Sequence, residues 1–232
     1  MQALDRPAWA SLTTFHASLS VGNASARRYL SDVNMFASTC DETLAHLSAL
    51  AELVRPGEQV IVLQVPQIVV PPGFSMLKRA SGVQMLASRR AHFAGATEDI
   101  VELTDLDAPE MLALARLTEP GPFLPRTHRM GKFIGIRRDG RLAAMAGERF
   151  RFPGYTEVSG VCTHPDFRGR GYARALSSAV AASIEARGER AFLHAWKTNR
   201  PAISLYESLG FQLCAEVDVA VLERAADDPR NP

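Results

Sequence analysis

Apolar positions recur along this chain with two periods, and the change from one to the other marks out its elements. In "YARALSSAVAASIEARG" Tyr172, Leu176, Ala179, Val180 and Ile184 stand at i, i+4, i+7, i+8 and i+12, one face of a helix that Gly188 ends as its C′ residue. "NRPAISLYESLG" repeats the pattern with Ala202, Leu205, Tyr206 and Leu209, opened by Asn199 or Pro201 and closed by Gly210. "APEMLALARL" predicts a third helix, and "DETLAHLSALAELV" a fourth, with Asp41 as candidate N-cap and "RPG" as its stop.

Alternation or short apolar runs predict strands at "EQVIVLQV", "GVQMLAS", "DIVELT", "YTEVSGVCT", "AFLHAW" and "FQLCAEVDVAVL". "KFIGIRRDGRLAAMAGERF" predicts a hairpin around the Asp139-Gly140 pair, which favours positive φ. From about residue 97 the order is strand, helix, hairpin, strand, helix, strand, helix, strand. That order predicts the α/β class, with a mixed, partly antiparallel sheet flanked by helices. Residues 1–96, with the proline-rich "VPQIVVPPG", form a separate N-terminal α/β region, and 97–232 the regular domain. The loop "TEPGPFLPRTHRMG" is a candidate substrate-side element, and the tail "ERAADDPRNP" is expected to fray.

Composition removes several function classes. Twenty-six Lys and Arg against 25 Asp and Glu give a formal charge of +1, so no global basic field recruits nucleic acid or anionic membrane, and any anion site must be local. No apolar run approaches the roughly 18 residues of a membrane span, and "MQALDRPAWASLTTF" lacks a signal-peptide core, so a cytoplasmic location is expected. Cys40, Cys162 and Cys214 are odd in number and form no C-x-x-C pair, which argues against a disulfide framework or a zinc site; no metal is expected.

Candidate chemistry concentrates in "VCTHPDFRGRGYARAL" (161–176), a strand end, a glycine-arginine loop and a helix start. The first amides of a helix lack intrahelical partners and favour anions. Gly169 and Gly171 allow those amides to turn around one anion, with Arg168, Arg170 and Arg174 at the rim. Arg174 stands where a dinucleotide fingerprint needs its third small residue, and no G-x-x-x-x-G-K-[ST] occurs. By itself the loop is either a phosphate cradle or a solvated charged turn.

Arg168-x-x-Gly171-x-Ala173 resembles the [Q/R]-x-x-G-x-[G/A] signature of the GNAT (Gcn5-related N-acetyltransferase) superfamily. "VCTHPDFRGRGYARAL" is similar to its motif A and "NRPAISLYESLGF" to its motif B, in the right order and at the right separation. The resemblance spans roughly 97–222, and the texture is similar to the FR47-like branch, which implies that 1–96 is a second, degenerate GNAT-like half. It implies an acyl-CoA-dependent N-acetyltransferase with acetyl-CoA or another acyl-CoA as co-substrate. The acceptor would be a small-molecule or peptide amine attacking directly in a ternary complex, in a monomer or homodimer. The alternative is an acyl-CoA-binding sensor or scaffold on the same fold.

By the resemblance, the backbone of Val161, Cys162 and Thr163 holds the pantetheine arm, and Arg168, Gly169, Arg170, Gly171, Tyr172, Ala173 and Arg174 form the pyrophosphate loop. Asn199 contacts the cofactor, caps its helix, or both. Tyr206 protonates the leaving sulfur or merely continues its apolar stripe. Glu157, on the side of Tyr155, Ser159, Val161 and Thr163 by alternation, is a candidate base whose pKa a partly apolar strand would raise; the other reading is a structural hydrogen bond. His194 and His164 are rivals, His164 fitting a loop role better. Cys162 as a nucleophile competes with a buried strand cysteine, the better-supported reading.

Overall fold

The computed structural model describes residues 3–89, 91–96 and 99–226. It divides into two compact units. An N-terminal unit takes Met1–Ser31, Met35–Gly82 and Glu216–Pro232, and a central unit takes Asp32–Asn34 and Val83–Ala215.

In chain order the N-terminal unit holds α1 (Pro7–Leu12), β1 (Ser20–Gly22), β2 (Ala26–Tyr29), β3 (Ala37–Thr39), α2 (Leu44–Leu53) and β4 (Gln59–Gln64). β5 (Phe74–Ala87) is divided between the units after Gly82. β1, β2 and β3 form a small antiparallel sheet in that order. Leu50, Val54, Val60, Val62 and Leu222 lie in the core of this unit. α2 starts two residues later than its sequence pattern predicts. Its N-cap is Thr43, and Asp41 accepts the Thr43 amide at 2.9 Å.

The central unit continues with β6 (Ile100–Leu103), α3 (Ala108–Thr118), β7 (Phe133–Arg138), β8 (Arg141–Phe152), β9 (Tyr155–Thr163), α4 (Tyr172–Ala186), β10 (Arg190–Trp196), α5 (Arg200–Ser208) and β11 (Phe211–Arg224), which leaves for the N-terminal unit after Ala215. The element order is the predicted one. Within this unit the strands lie in the order β11–β5–β10–β9–β8–β7–β6. β6 to β9 are mutually antiparallel, whereas β9 and β10 are parallel, so the sheet is mixed.

One face packs Leu176, Val180 and Ile184 of α4, with Tyr206 of α5, against Ala144, Val158 and Leu193. The other packs Met111 and Leu114 of α3 against Met145 and Cys162. Each fully buried leucine or isoleucine contributes about 1.5–3 kcal/mol, so the α4 stripe alone fixes that helix on the sheet. The β7–β8 turn has Asp139 at φ 52° and Gly140 at φ 73°, as the hairpin requires.

Two expectations need correction. Glu223 and Arg224 belong to β11 rather than to a frayed tail; residues 227–232 lie outside the described residues. Strict alternation along β9 also fails. The pairs Met145–Cys162 and Gly147–Ser159 match two steps on β8 with three on β9, a bulge. Gly160 sits there at φ 63°, where a Cβ would lie 2.9 Å from the Phe133 ring. The extra residue moves Val161 to the α4 side with Val158 and sends Cys162 to the α3 side, so Glu157 and Val161 no longer share a face by alternation.

Candidate functional site

The pairing of β9 with β10 is short. It runs from Tyr155–Arg190 to Glu157–Phe192, although β9 continues to Thr163 and β10 to Trp196. Beyond Glu157 the two parallel strands part. Backbone groups of β9 beyond that point can therefore serve a ligand instead of a neighbouring strand.

A cleft of about 430 Å³ opens beside this segment. Its wall includes Val161, Cys162 and Thr163, and the whole run from Arg168 to Arg174, so ten of the residues singled out in the sequence line one space. Thr118, Phe167 and Leu205 complete the wall; each lies in a stretch the sequence singles out, though none is a predicted site residue. Gly169 and Gly171 have φ of 75° and 79°, and Gly171 is the N-cap of α4. A Cβ at Gly171 would meet nothing within 4 Å, so the demand for glycine there comes from the left-handed backbone and not from crowding. The first α4 amides, before the Ala175 N–H bonds the Gly171 carbonyl at 3.0 Å, have no place in the helix ladder, the arrangement that favours an anion.

Five arginines rim the loop. Arg168, Arg170 and Arg174 are exposed, Arg174 bonding the Ser208 hydroxyl. The β7–β8 turn supplies two that sequence reasoning missed. Arg138 donates to the Tyr172 hydroxyl at 3.1 Å, and Arg141 lies 5.1 Å from the Phe167 ring centroid, with Arg170 at 5.2 Å from the same ring.

Glu157 occupies the last paired position of β9 and is fully buried. Arg149 of β8 holds it with two hydrogen bonds, Nε to Oε2 at 2.7 Å and Nη2 to Oε1 at 2.6 Å. His194 Nδ1 lies 2.7 Å from Oε1, and Gln84 Nε2 lies 3.2 Å from His194 Nε2. The amide can only donate and the carboxylate only accept, so the consistent tautomer has the proton on Nδ1 and the lone pair on Nε2. Burial pushes the Glu157 carboxyl up, but the charge and two hydrogen bonds of Arg149, with His194 beside it, outweigh it and hold the group at about 2. The raised pKa expected from the strand environment is therefore overturned, because sequence alone does not reveal the Arg149 partner.

Tyr206 is buried, its ring 6.1 Å from that of Phe211, and its phenol is pushed up to about 12 by burial and by the Glu157 charge. Leu205, its neighbour, lines the cleft. Asn199 caps α5, its Oδ1 accepting the Ala202 amide at 3.2 Å, and is not in the cleft wall. His164 likewise caps a short turn, Nδ1 accepting from the Asp166 amide at 3.2 Å. Burial pushes the Cys162 thiol up to about 11, which keeps it protonated and a poor nucleophile. The Pro120–Phe123 stretch of the 118–131 loop closes over a small recess with Glu148, Arg149 and Ser159, of about 10 Å³, room for one water at most.

A family model, FR47-like protein, matches residues 133–219. Over 97% of this chain and 100% of the other, the fold superimposes on a Novosphingobium aromaticivorans protein assigned as an acetyltransferase of the GNAT family, with 39% identity and a TM-score of 0.90. A GCN5-related N-acetyltransferase from Kribbella flavida shares the fold at 18% identity and TM-score 0.64, over 95% of this chain and 96% of that one. One from Sphaerobacter thermophilus does so at 17% and 0.51, over 79% and 66%. No curated protein matches. A strand that parts from its parallel neighbour, a glycine-arginine loop turning into α4 and a relative 39% identical over nearly the whole length agree: the chain belongs to the GNAT acetyltransferase family.

Proposed function

We propose that the protein transfers an acetyl group from acetyl-CoA to a primary amine by direct attack within a ternary complex. The observation that carries this is the parting of β9 from β10 beside a cleft walled by Val161–Thr163 and residues 168–174. The helix-start amides and the rim arginines suit a pyrophosphate, and the β9 backbone suits an amide-bearing arm that ends in a thioester.

The reacting groups belong to residues 97–232, and the motif-less region 1–96 contributes Gln84. The amine nitrogen attacks the thioester carbon, a C–N bond forms, and a β9 amide donates to the oxyanion. The amine proton passes, directly or through one water, to His194 Nε2 as the Gln84 amide turns to present its oxygen in place of its NH2 group, while Glu157 stabilises the resulting imidazolium. Glu157 thus acts through His194. Collapse breaks the C–S bond, and the Tyr206 hydroxyl gives its proton to the departing thiolate, to be restored from solvent. The two proton transfers are coupled. Burial and the Glu157 charge hold the phenol up at about 12, and a positive His194 beside Glu157 offsets the second of these at the moment the sulfur leaves. The loop 118–131, which supplies Thr118 to the cleft wall, stands on the acceptor side in this reading and selects the amine.

The test is release of free thiol from acetyl-CoA across a panel of primary amines, with calorimetry of coenzyme A against NAD and ATP. Coenzyme A binding with amine-dependent thiol release is expected. Binding without release by any amine makes the protein a sensor or scaffold, and absence of coenzyme A binding overturns the proposal.

A further inference from the structure

The N-terminal unit holds a separate set of reactive side chains. Cys40, Asp41 and His46 offer one sulfur, one carboxylate oxygen and one ring nitrogen, all within 4.8 Å of one another, and each residue is part-buried. Their positions are fixed by backbone as well as by one another. The Cys40 amide is anchored to the Ser25 carbonyl at 2.9 Å, just past the end of β3. Asp41 Oδ1 accepts the Thr43 amide at 2.9 Å and lies 2.6 Å from His46 Nδ1, on the first turn of α2. The neighbouring Glu42 is occupied elsewhere, its carboxylate bonded by Arg6 and Gln64.

An Asp–His pair that caps a helix needs no third group. The free thiol of Cys40 within reach of both turns the pair into a three-ligand set. Zinc bonds of roughly 2.0–2.3 Å set neighbouring ligand atoms about 3.3–3.7 Å apart, so the sulfur must draw in by about 1 Å and the histidine must open from the carboxylate as a metal replaces the shared proton. Rotamer changes at a part-buried corner supply movements of that size. Thiolate with imidazole selects zinc or cobalt over magnesium or calcium, which take oxygen ligands.

We propose that Cys40, Asp41 and His46 bind one divalent transition-metal ion, zinc fitting best, with water completing the coordination. Binding forms metal–sulfur, metal–nitrogen and metal–oxygen bonds, releases the Cys40 thiol proton to solvent and displaces the proton shared by His46 Nδ1 and Asp41, which His46 Nε2 or solvent takes up, with no change of oxidation state. The site is independent of acyl transfer.

The full chain titrated with cobalt(II) should form a 1:1 complex with a thiolate-to-metal charge-transfer band. Cys40→Ser should abolish the band and Cys214→Ser should leave it; His46→Gln should weaken binding at least about tenfold. In the unmodified chain, one equivalent of zinc should slow alkylation of Cys40 by about tenfold or more while Cys214 reacts as before, a reading that does not depend on a variant folding. Absence of the cobalt band, its survival in Cys40→Ser, or equal alkylation of Cys40 with and without zinc overturns the proposal.

Discussion

The two ends of the β9–β10 junction meet their tasks by opposite means. At the loop end, 168–174 is continuous in sequence, its arginines are exposed, and its demand falls on the backbone, with Gly169 and Gly171 at positive φ. At the closed end, Glu157 is sealed from water and held by Arg149 and His194 from two other strands, with Gln84 of a third set against His194. Exposed charge is cheap to place and contributes little each, whereas a buried charge demands every partner. The loop end therefore tolerates single losses, and the closed end does not.

Substitutions at the two ends should separate accordingly. Tyr206→Phe should lower kcat by about 10²–10⁴ and leave the acetyl-CoA Kd unchanged, since a positioned proton donor is worth that much; single-turnover thiol release with parallel calorimetry checks it. Arg149→Met should cost roughly 3–5 kcal/mol in urea unfolding, because it leaves a buried carboxylate short of its main partner. The Glu157 carboxyl is held at about 2 against its usual 4.5, so its pairing stabilises the fold above about 4.5, and that contribution is lost as pH falls through the interval to about 2. Glu157→Gln should flatten the acid-unfolding curve in that interval. Gly171→Ala should cost roughly 1–2 kcal/mol for its left-handed backbone and weaken acetyl-CoA binding to match, read by calorimetry. Arg174→Ala, at the exposed rim, should cost binding about 0–1 kcal/mol, and less at high salt.

The same contrast governs what the sequence discloses. The loop, the α4 stripe and the α5 cap are local, so spacing together with the family resemblance points to Val161–Thr163 and Arg168–Arg174, which line the cleft. The closed end is assembled across strands. Glu157 and His194 were visible as candidates, but Arg149 looked like any hairpin arginine and Gln84 like any strand glutamine, and without them the carboxyl's pKa takes the wrong direction. The Gly160 bulge is hidden for a related reason, since register depends on the partner strand. In the N-terminal unit, three- and four-residue strands are too short to show a period, and β1–β3 and α1 escape notice. Cys40 and His46 likewise lie outside the paired-cysteine spacing by which zinc sites are read.

The central claim is that the amine's proton goes to His194, which Glu157 orients, and not to Glu157 itself. The pH–rate profile of thiol release, with an amine the protein accepts, tests it most directly in the unmodified chain and in His194→Gln at equal acetyl-CoA saturation. The account predicts an acid limb in the unmodified chain well above the pH at which a carboxyl held at about 2 titrates, and its disappearance in His194→Gln with a lowered plateau. An acid limb that persists unchanged in His194→Gln would contradict it.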